Sequence, residues 1–186
     1  MPDNAERVFE GRIFDVYQWQ QTMFDGAQRT FEMLKRPDTV QVIVLRGDKI
    51  LLINDRQPGR GARIQLPGGR SDESDSDWLA AAQRELREET GLVCESWCLI
   101  DVVQPQSKIE WFVATFLAQE ITAELAPELD AGGEKITMRW MPYGEFHKGL
   151  ISDELKMTYL IPLLRRLGSV SGLRAIKPYE GMPVDR

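Results

Sequence analysis

The strongest constraint on the fold is one helical pattern, Trp78–Thr90, set among segments that read as strands. Leu79, Ala82 and Leu86 recur three and four apart, which places them on one buried stripe. Ser76 or Asp77 can cap its start, and Gly91 supplies a left-handed stop. A lone mid-chain helix with one apolar stripe must bury it against a sheet. The expected class is therefore α/β, a mixed sheet with helices packed on its faces.

The flanking segments support that class. Residues 8–21 alternate loosely and are followed by the turn Phe24-Asp25-Gly26 and a second alternating run, residues 29–35. Asp-Gly between such runs predicts an antiparallel hairpin or small sheet. Residues 40–45 and 49–53 form a second hairpin around Arg46-Gly47-Asp48, and a loop rich in Gly, Pro and Arg fills residues 55–75. Beyond the helix, strand patterns occupy residues 97–103, 109–119 and 136–141. A last helix is predicted from about Ser152, carrying Leu155, Tyr159, Leu160, Leu163, Leu164 and Leu167, with Pro162 kinking or splitting it. Residues 168–186 are punctuated by Gly and Pro and read as a tail, poorly ordered or laid against a partner.

Composition narrows the function. The 186 residues carry 23 Lys+Arg against 29 Asp+Glu, a formal charge of −6. That excess repels polyanions, so no long nucleic-acid partner is expected. No apolar run approaches the roughly 20 residues of a spanning helix, and the first residues lack the features of a signal peptide. No membrane association is expected, and the cytoplasm is the expected compartment. Cys94 and Cys98 lack the further Cys or His that a zinc site needs, and read as reduced cysteines in a strand. His147 is the only histidine and reads as a surface residue near a helix end.

The helix carries an unusual acidic strip. At about 100° per residue, Glu89 lies about 40° from Glu85 and Glu88 about 60° to its other side. Like charges at this spacing repel, and they lie towards the helix C-terminus, where the dipole disfavours anions. Arg84 and Arg87 would balance a merely solvated acidic face. A hard divalent cation would relieve the strip as well, with the Gly68-Gly69 turn letting a backbone carbonyl approach as a further oxygen ligand.

Extended to its flanks, the segment settles on the second reading. Gly68-Gly69, an acidic loop, then Arg84-Glu85-Leu86-Arg87-Glu88-Glu89-Thr90-Gly91-Leu92 resembles the Nudix box, G-x5-E-x7-R-E-U-x-E-E-x-G-U with U aliphatic. Residues 84–92 match every specified position of its second half. The first half departs from it. Counting forward from Gly69 puts the first Glu at Asp75, and counting back from Arg84 puts it at Ser76. The loop holds one extra residue, and Glu73, Asp75 or Asp77 could substitute. The resemblance implies a Nudix α/β/α sandwich and Mg²⁺- or Mn²⁺-dependent hydrolysis of a pyrophosphate bond. It implies Glu85 and Glu89 as main metal ligands, Glu88 in support, the Gly68 carbonyl completing the set, and Arg84 holding the carboxylates.

Outside the box the chain resembles the ADP-ribose and nucleotide-sugar pyrophosphatase branch. The N-terminal antiparallel sheet, the Arg56 ending Leu51-Leu52-Ile53-Asn54-Asp55-Arg56, and Gly132-Gly133-Glu134 before Trp140-Met141-Pro142 carry that likeness. It implies Glu134 as general base or further metal ligand, and a small nucleotide diphosphate as substrate. Arg36, Arg56 and Glu110 would contact that substrate, and Phe14, Tyr17, Trp19 or Trp111 would offer a ring to its base. It also implies three regions: residues 1–38 as a β extension that builds a homodimer, residues 39–168 as the hydrolase domain, and residues 169–186 as the tail.

Overall fold

The computed structural model describes residues 1–59, 61–129, 133 and 135–176. Among them, ten strands and four helices follow one another as β1 (Glu6–Phe9), β2 (Asp15–Thr22), β3 (Gln28–Lys35), β4 (Thr39–Arg46), β5 (Lys49–Arg56), β6 (Arg63–Gln65), α1 (Trp78–Thr90), β7 (Leu92–Val103), β8 (Ile109–Glu110), β9 (Val113–Glu124), β10 (Lys135–Pro142), α2 (Tyr143–Ile151), α3 (Ile161–Leu167) and α4 (Val170–Arg174).

The main sheet has the order β10-β5-β4-β9-β7, with β6 on β5. It is mixed, because β4 and β9 run parallel while the other pairs run antiparallel. Strand alternation divides its side chains between two cores. Val40, Val42 and Val44 of β4 face α1, where they meet Ala81, Ala82 and Leu86. Ile43 and Leu45 face the other way, onto Phe146 and Leu150 of α2, Leu163 and Leu164 of α3, and Leu173 of α4. Each such Leu or Val is worth roughly 1.5–3 kcal/mol relative to exposure. Helices thus cover both faces, and the α/β/α sandwich is the observed architecture.

The second sheet has the order β1-β2-β3-β8. Its first three strands pair antiparallel, as expected, with Trp19 opposite Phe31. The strand expected over residues 109–119 is split: its first part, β8, leaves the main sheet and pairs parallel to β3 as the fourth strand here, Leu34 with Ile109 and Lys35 with Glu110, while the rest belongs to β9. The extension is therefore a mixed sheet, stitched to the rest of the molecule by that ladder.

The C-terminal third also differs from expectation. Ser152 ends α2 rather than starting a helix, and Asp153 and Lys156 both have positive φ, at 61° and 55°, which breaks helical continuity. A short 3₁₀ turn, Thr158–Leu160, precedes α3, and Pro162 sits in the first turn of α3, where its missing N–H breaks no helical bond. The segment read as a tail contains α4, whose Leu173 is fully buried in the core.

One detail of the main sheet positions the site. β4 and β5 pair only near their hairpin, at Leu45–Ile50 and Arg46–Lys49, and then splay apart. The segment after β6 fills the gap. Val42 N donates to Pro67 O at 2.8 Å and Val40 N donates to Gly69 O at 2.9 Å. The Gly68-Gly69 turn is thereby wedged into the sheet on the face that α1 covers.

Candidate active site

Helix α1 begins and ends as its sequence dictates. Asp77 caps it by accepting from Ala80 N at 2.8 Å, and Gly91 closes it at φ 71°, donating to Arg87 O. Buried Ala81, Ala82 and Leu86 fix its rotation about its own axis, so Glu85 and Glu89 are aimed at the glycine turn. Glu89 is 8% exposed and accepts from Gly68 N at 2.7 Å.

The glycines are required by this approach. Gly68 has φ 143°, and a Cβ there would lie 2.2 Å from Val40 O. A Cβ on Gly69 would lie 2.5 Å from Oε2 of Glu85. The turn and the helix thus meet backbone against carboxylate, with no room for a side chain between them.

Arg84 joins the remaining acids. Its Nε and Nη2 donate to the two carboxylate oxygens of Asp75 at 2.9 and 2.8 Å, and Nη2 also donates to Arg70 O at 3.0 Å. Nη1 donates to Glu85 at 2.9 Å and to Glu88 at 3.0 Å. The bonds from Arg84 hold the Asp75 carboxyl below its usual range. Burial pushes the Glu85 carboxyl up, and Arg84 opposes that only in part.

These residues fit a hard divalent cation by donor chemistry: three carboxylates on one helix face and the Gly68 carbonyl, all oxygens, at a turn whose glycines let Glu85 and Glu89 approach the backbone. Among the described residues no three acidic side chains already converge as a metal cluster. Glu85 and Glu88 are turned onto Arg84 and Glu89 onto Gly68 N–H, so ligation requires rotation of side chains that already share one face.

The other expected site residues come from other parts of the chain. Arg36 is stacked on Trp111, 4.5 Å from its ring centroid, and lies 5.6 Å from that of Phe14, which unites two of the aromatic candidates with one of the arginines. Trp111 Nε1 donates to Thr39 Oγ1 at 3.0 Å, and Arg36 Nη2 lies 3.5 Å from the same oxygen. Burial lowers the Arg36 pKa, with the nearby charge of Arg70 adding to the effect. Arg56 is exposed at the end of β5, opposite Lys135 of β10. Glu110 is held by Lys35 Nζ and the Met1 ammonium, each at 2.9 Å. Burial would raise its pKa, but those two cations outweigh it and leave it lowered. Glu134 lies outside the described residues. Trp19 packs against Phe31, with ring centroids 6.1 Å apart.

Asp38 was not singled out from sequence. Its carboxylate accepts from Trp78 Nε1 at 3.0 Å and Phe112 N at 2.9 Å, and its carbonyl accepts from Ser71 N at 2.9 Å. It ties the start of α1 to β4, to the acidic loop and to the approach of β9. Only its position beside Pro37, before a strand, hinted at a turn role.

The fold and this site define a class. The NUDIX domain family matches residues 35–162, more than half of the chain, and the chain belongs to that family, with the hydrolase signature intact in its second half. It is similar to an ADP-ribose pyrophosphatase of Mycobacterium tuberculosis, 25% identical over 187 residues that cover 98% of this chain and 90% of that protein. An ADP-ribose pyrophosphatase of Bacillus subtilis is 27% identical over 67% of this chain and 69% of its own length. An 8-oxo-dGDP phosphatase of Danio rerio is 33% identical over 74% of this chain, which spans only 43% of that longer protein. Among solved structures, an ADP compounds hydrolase superposes with a TM-score of 0.65 at 21% identity, over 92% of this chain and 89% of that one, a likeness of fold.

Proposed function

We propose that this chain is a Mg²⁺- or Mn²⁺-dependent hydrolase of the pyrophosphate bond in a nucleoside diphosphate sugar. ADP-ribose-like substrates are preferred, and the products are a nucleoside monophosphate and a sugar phosphate. The observation that carries the reading is the convergence of Glu85 and Glu89 on the Gly68-Gly69 turn, with Arg84 gathering Glu85 and Glu88 beside them. The near full-length likeness to an ADP-ribose pyrophosphatase supports the choice of substrate.

Glu85, Glu88, Glu89 and the Gly68 carbonyl would hold the cation. When bound it offsets the diphosphate charge and lowers the pKa of a coordinated water. Arg84 keeps two of the carboxylates from repelling each other apart. Arg36 and Arg70 are cations near one another beside the turn, a pairing that an anionic phosphate would relieve. Exposed Arg56 offers a second phosphate contact. Trp111, with Arg36 on one face, is the ring proposed to meet a base, and Glu134 remains the proposed general base or further metal ligand. The N-terminal sheet is proposed to build a homodimer.

The test is a panel of nucleotide sugars with Mg²⁺, scored by phosphate released when alkaline phosphatase acts on newly formed monoesters. ADP-ribose is expected to lead the panel, and a folded protein that hydrolyses no member overturns the reading. A second reading, phosphate release from a free nucleoside diphosphate, is favoured by the likeness to the Danio rerio enzyme. Phosphate appearing from a diphosphate without the phosphatase would select it.

A further inference from the structure

On the face of the main sheet that α2 covers, away from α1, lies a cavity of about 370 Å³. Its floor is apolar. Met141 of β10 and Leu155, four residues beyond the end of α2, are buried parts of the α2-side core, and Ile64 of β6 completes the floor at 37% exposure. A side chain at Gly149 would meet Leu155 Cγ at 2.9 Å, so the α2 wall carries none there.

Four exposed charged residues line the rest of the cavity, two of each sign: Arg139 of β10, Glu145 and Lys148 of α2, and Glu154 just beyond. Arg139 lies opposite Leu52 and Met141 opposite Ile50 across the ladder, which puts both on the α2 face. Glu145 and Lys148 stand three apart on the helix, a spacing at which opposite charges can pair. Among the described residues, however, none of the four side chains makes an ion pair or a hydrogen bond. Their neighbours do pair: Lys156 Nζ lies 2.9 Å from the Asp153 carboxylate.

A ligand of one sign would be drawn by two of these charges and repelled by the other two. A small zwitterion engages all four. The volume is near the low end of ligand cavities, roughly 300–1,000 Å³, which suits an amino acid better than a nucleotide. We infer that this cavity binds a free α-amino acid with an aliphatic side chain. Its carboxylate meets Arg139 and Lys148, its ammonium meets Glu145 and Glu154, and its side chain covers Ile64, Met141 and Leu155. The site is independent of the metal-dependent reading, because α1 and its glutamates lie on the other face of the sheet.

The test is calorimetry of the full chain with four probes. L-leucine carries both charges and the aliphatic body, leucinamide lacks the carboxylate, 4-methylpentanoate lacks the ammonium, and glycine lacks the body. L-leucine is expected to bind about 10- to 100-fold more tightly than leucinamide or 4-methylpentanoate, the worth of the charged hydrogen bonds each has lost. Glycine should bind more weakly than L-leucine as well. Arg139→Gln should weaken L-leucine by about tenfold or more and leave leucinamide within about twofold. Glu154→Gln should weaken L-leucine equally and leave 4-methylpentanoate unchanged. In NMR the methyl resonances of Ile64 and Leu155 should move on titration while the Trp111 indole N–H stays in place.

A wild-type chain that binds no L-leucine overturns the inference, as does equal binding of L-leucine and its two singly charged relatives. Resonance changes at Trp111 in place of Ile64 and Leu155 overturn it too. These three results are read in the wild-type chain, so they decide the matter even where a variant fails to fold. Loss of the amino-acid site in a chain that still hydrolyses ADP-ribose leaves the proposed activity standing.

Discussion

Gly69 stands where any side chain would collide with the Glu85 carboxylate. The obstructing atoms are the far end of a flexible side chain, so Gly69→Ala should fold with a small loss of stability while Glu85 swings away. Turnover is expected to fall at least tenfold, measured beside the thermal midpoint; turnover and midpoint falling together in proportion would contradict this. Asp75 makes a pH prediction. Its folded pKa is lowered by Arg84, so its contribution to stability is fully present above the ordinary aspartate range near ~3.9 and is lost as pH falls through the lower folded value. Asp75→Asn should flatten the stability profile in that acidic window, and an unchanged slope would refute the assignment. At this scale the sequence was legible where chemistry is periodic: Glu85, Glu88, Glu89 and Arg84 lie together as helical spacing requires. It left Asp75 as one of three acids, because a loop has no period, and only the structure shows which carboxylate turns towards Arg84.

Helix α1 is the element through which packing becomes chemistry. Leu86 is 1% exposed and anchors the stripe that sets the rotation of the three glutamates. Leu86→Ala is expected to cost about 2–5 kcal/mol in urea unfolding, and Asp77→Ala, which removes the cap, about 1 kcal/mol. A cap variant with unchanged stability would show that Asp77 does not hold the helix start. The bounds of α1 were readable because cap, stripe and stop agree. The three-residue β6 was not, since Arg63-Ile64-Gln65 lies in a loop rich in Gly, Pro and Arg and is a strand only by pairing with Ile53, Asn54 and Asp55. Helix α2 was reduced to its end because Gly144 and Gly149 weaken its pattern; Gly149 is nonetheless buried, where Leu155 packs over it.

For the whole molecule, the charge of −6 no longer argues against a phosphate-bearing ligand, because part of it sits on Glu85, Glu88 and Glu89 facing a proposed cation. It argues against binding such a ligand without metal, so EDTA should abolish ADP-ribose binding in calorimetry, and unchanged binding would contradict that. The extension leaves Val8, Phe9, Ile13, Phe14 and Phe24 exposed, which supports the proposed homodimer. Light scattering should return about twice 21.3 kDa, and a monomer across the concentration range would remove that part of the account. No helix among the described residues is long and apolar enough to cross a membrane. The central claim is tested most directly by ³¹P NMR of ADP-ribose with Mg²⁺ and the purified chain. The account predicts that the diphosphate resonances give way to two phosphomonoester signals, and that Glu89→Gln slows the conversion by orders of magnitude while the chain stays folded. Persistence of the diphosphate with the wild-type chain, or equal rates for the two, would contradict it.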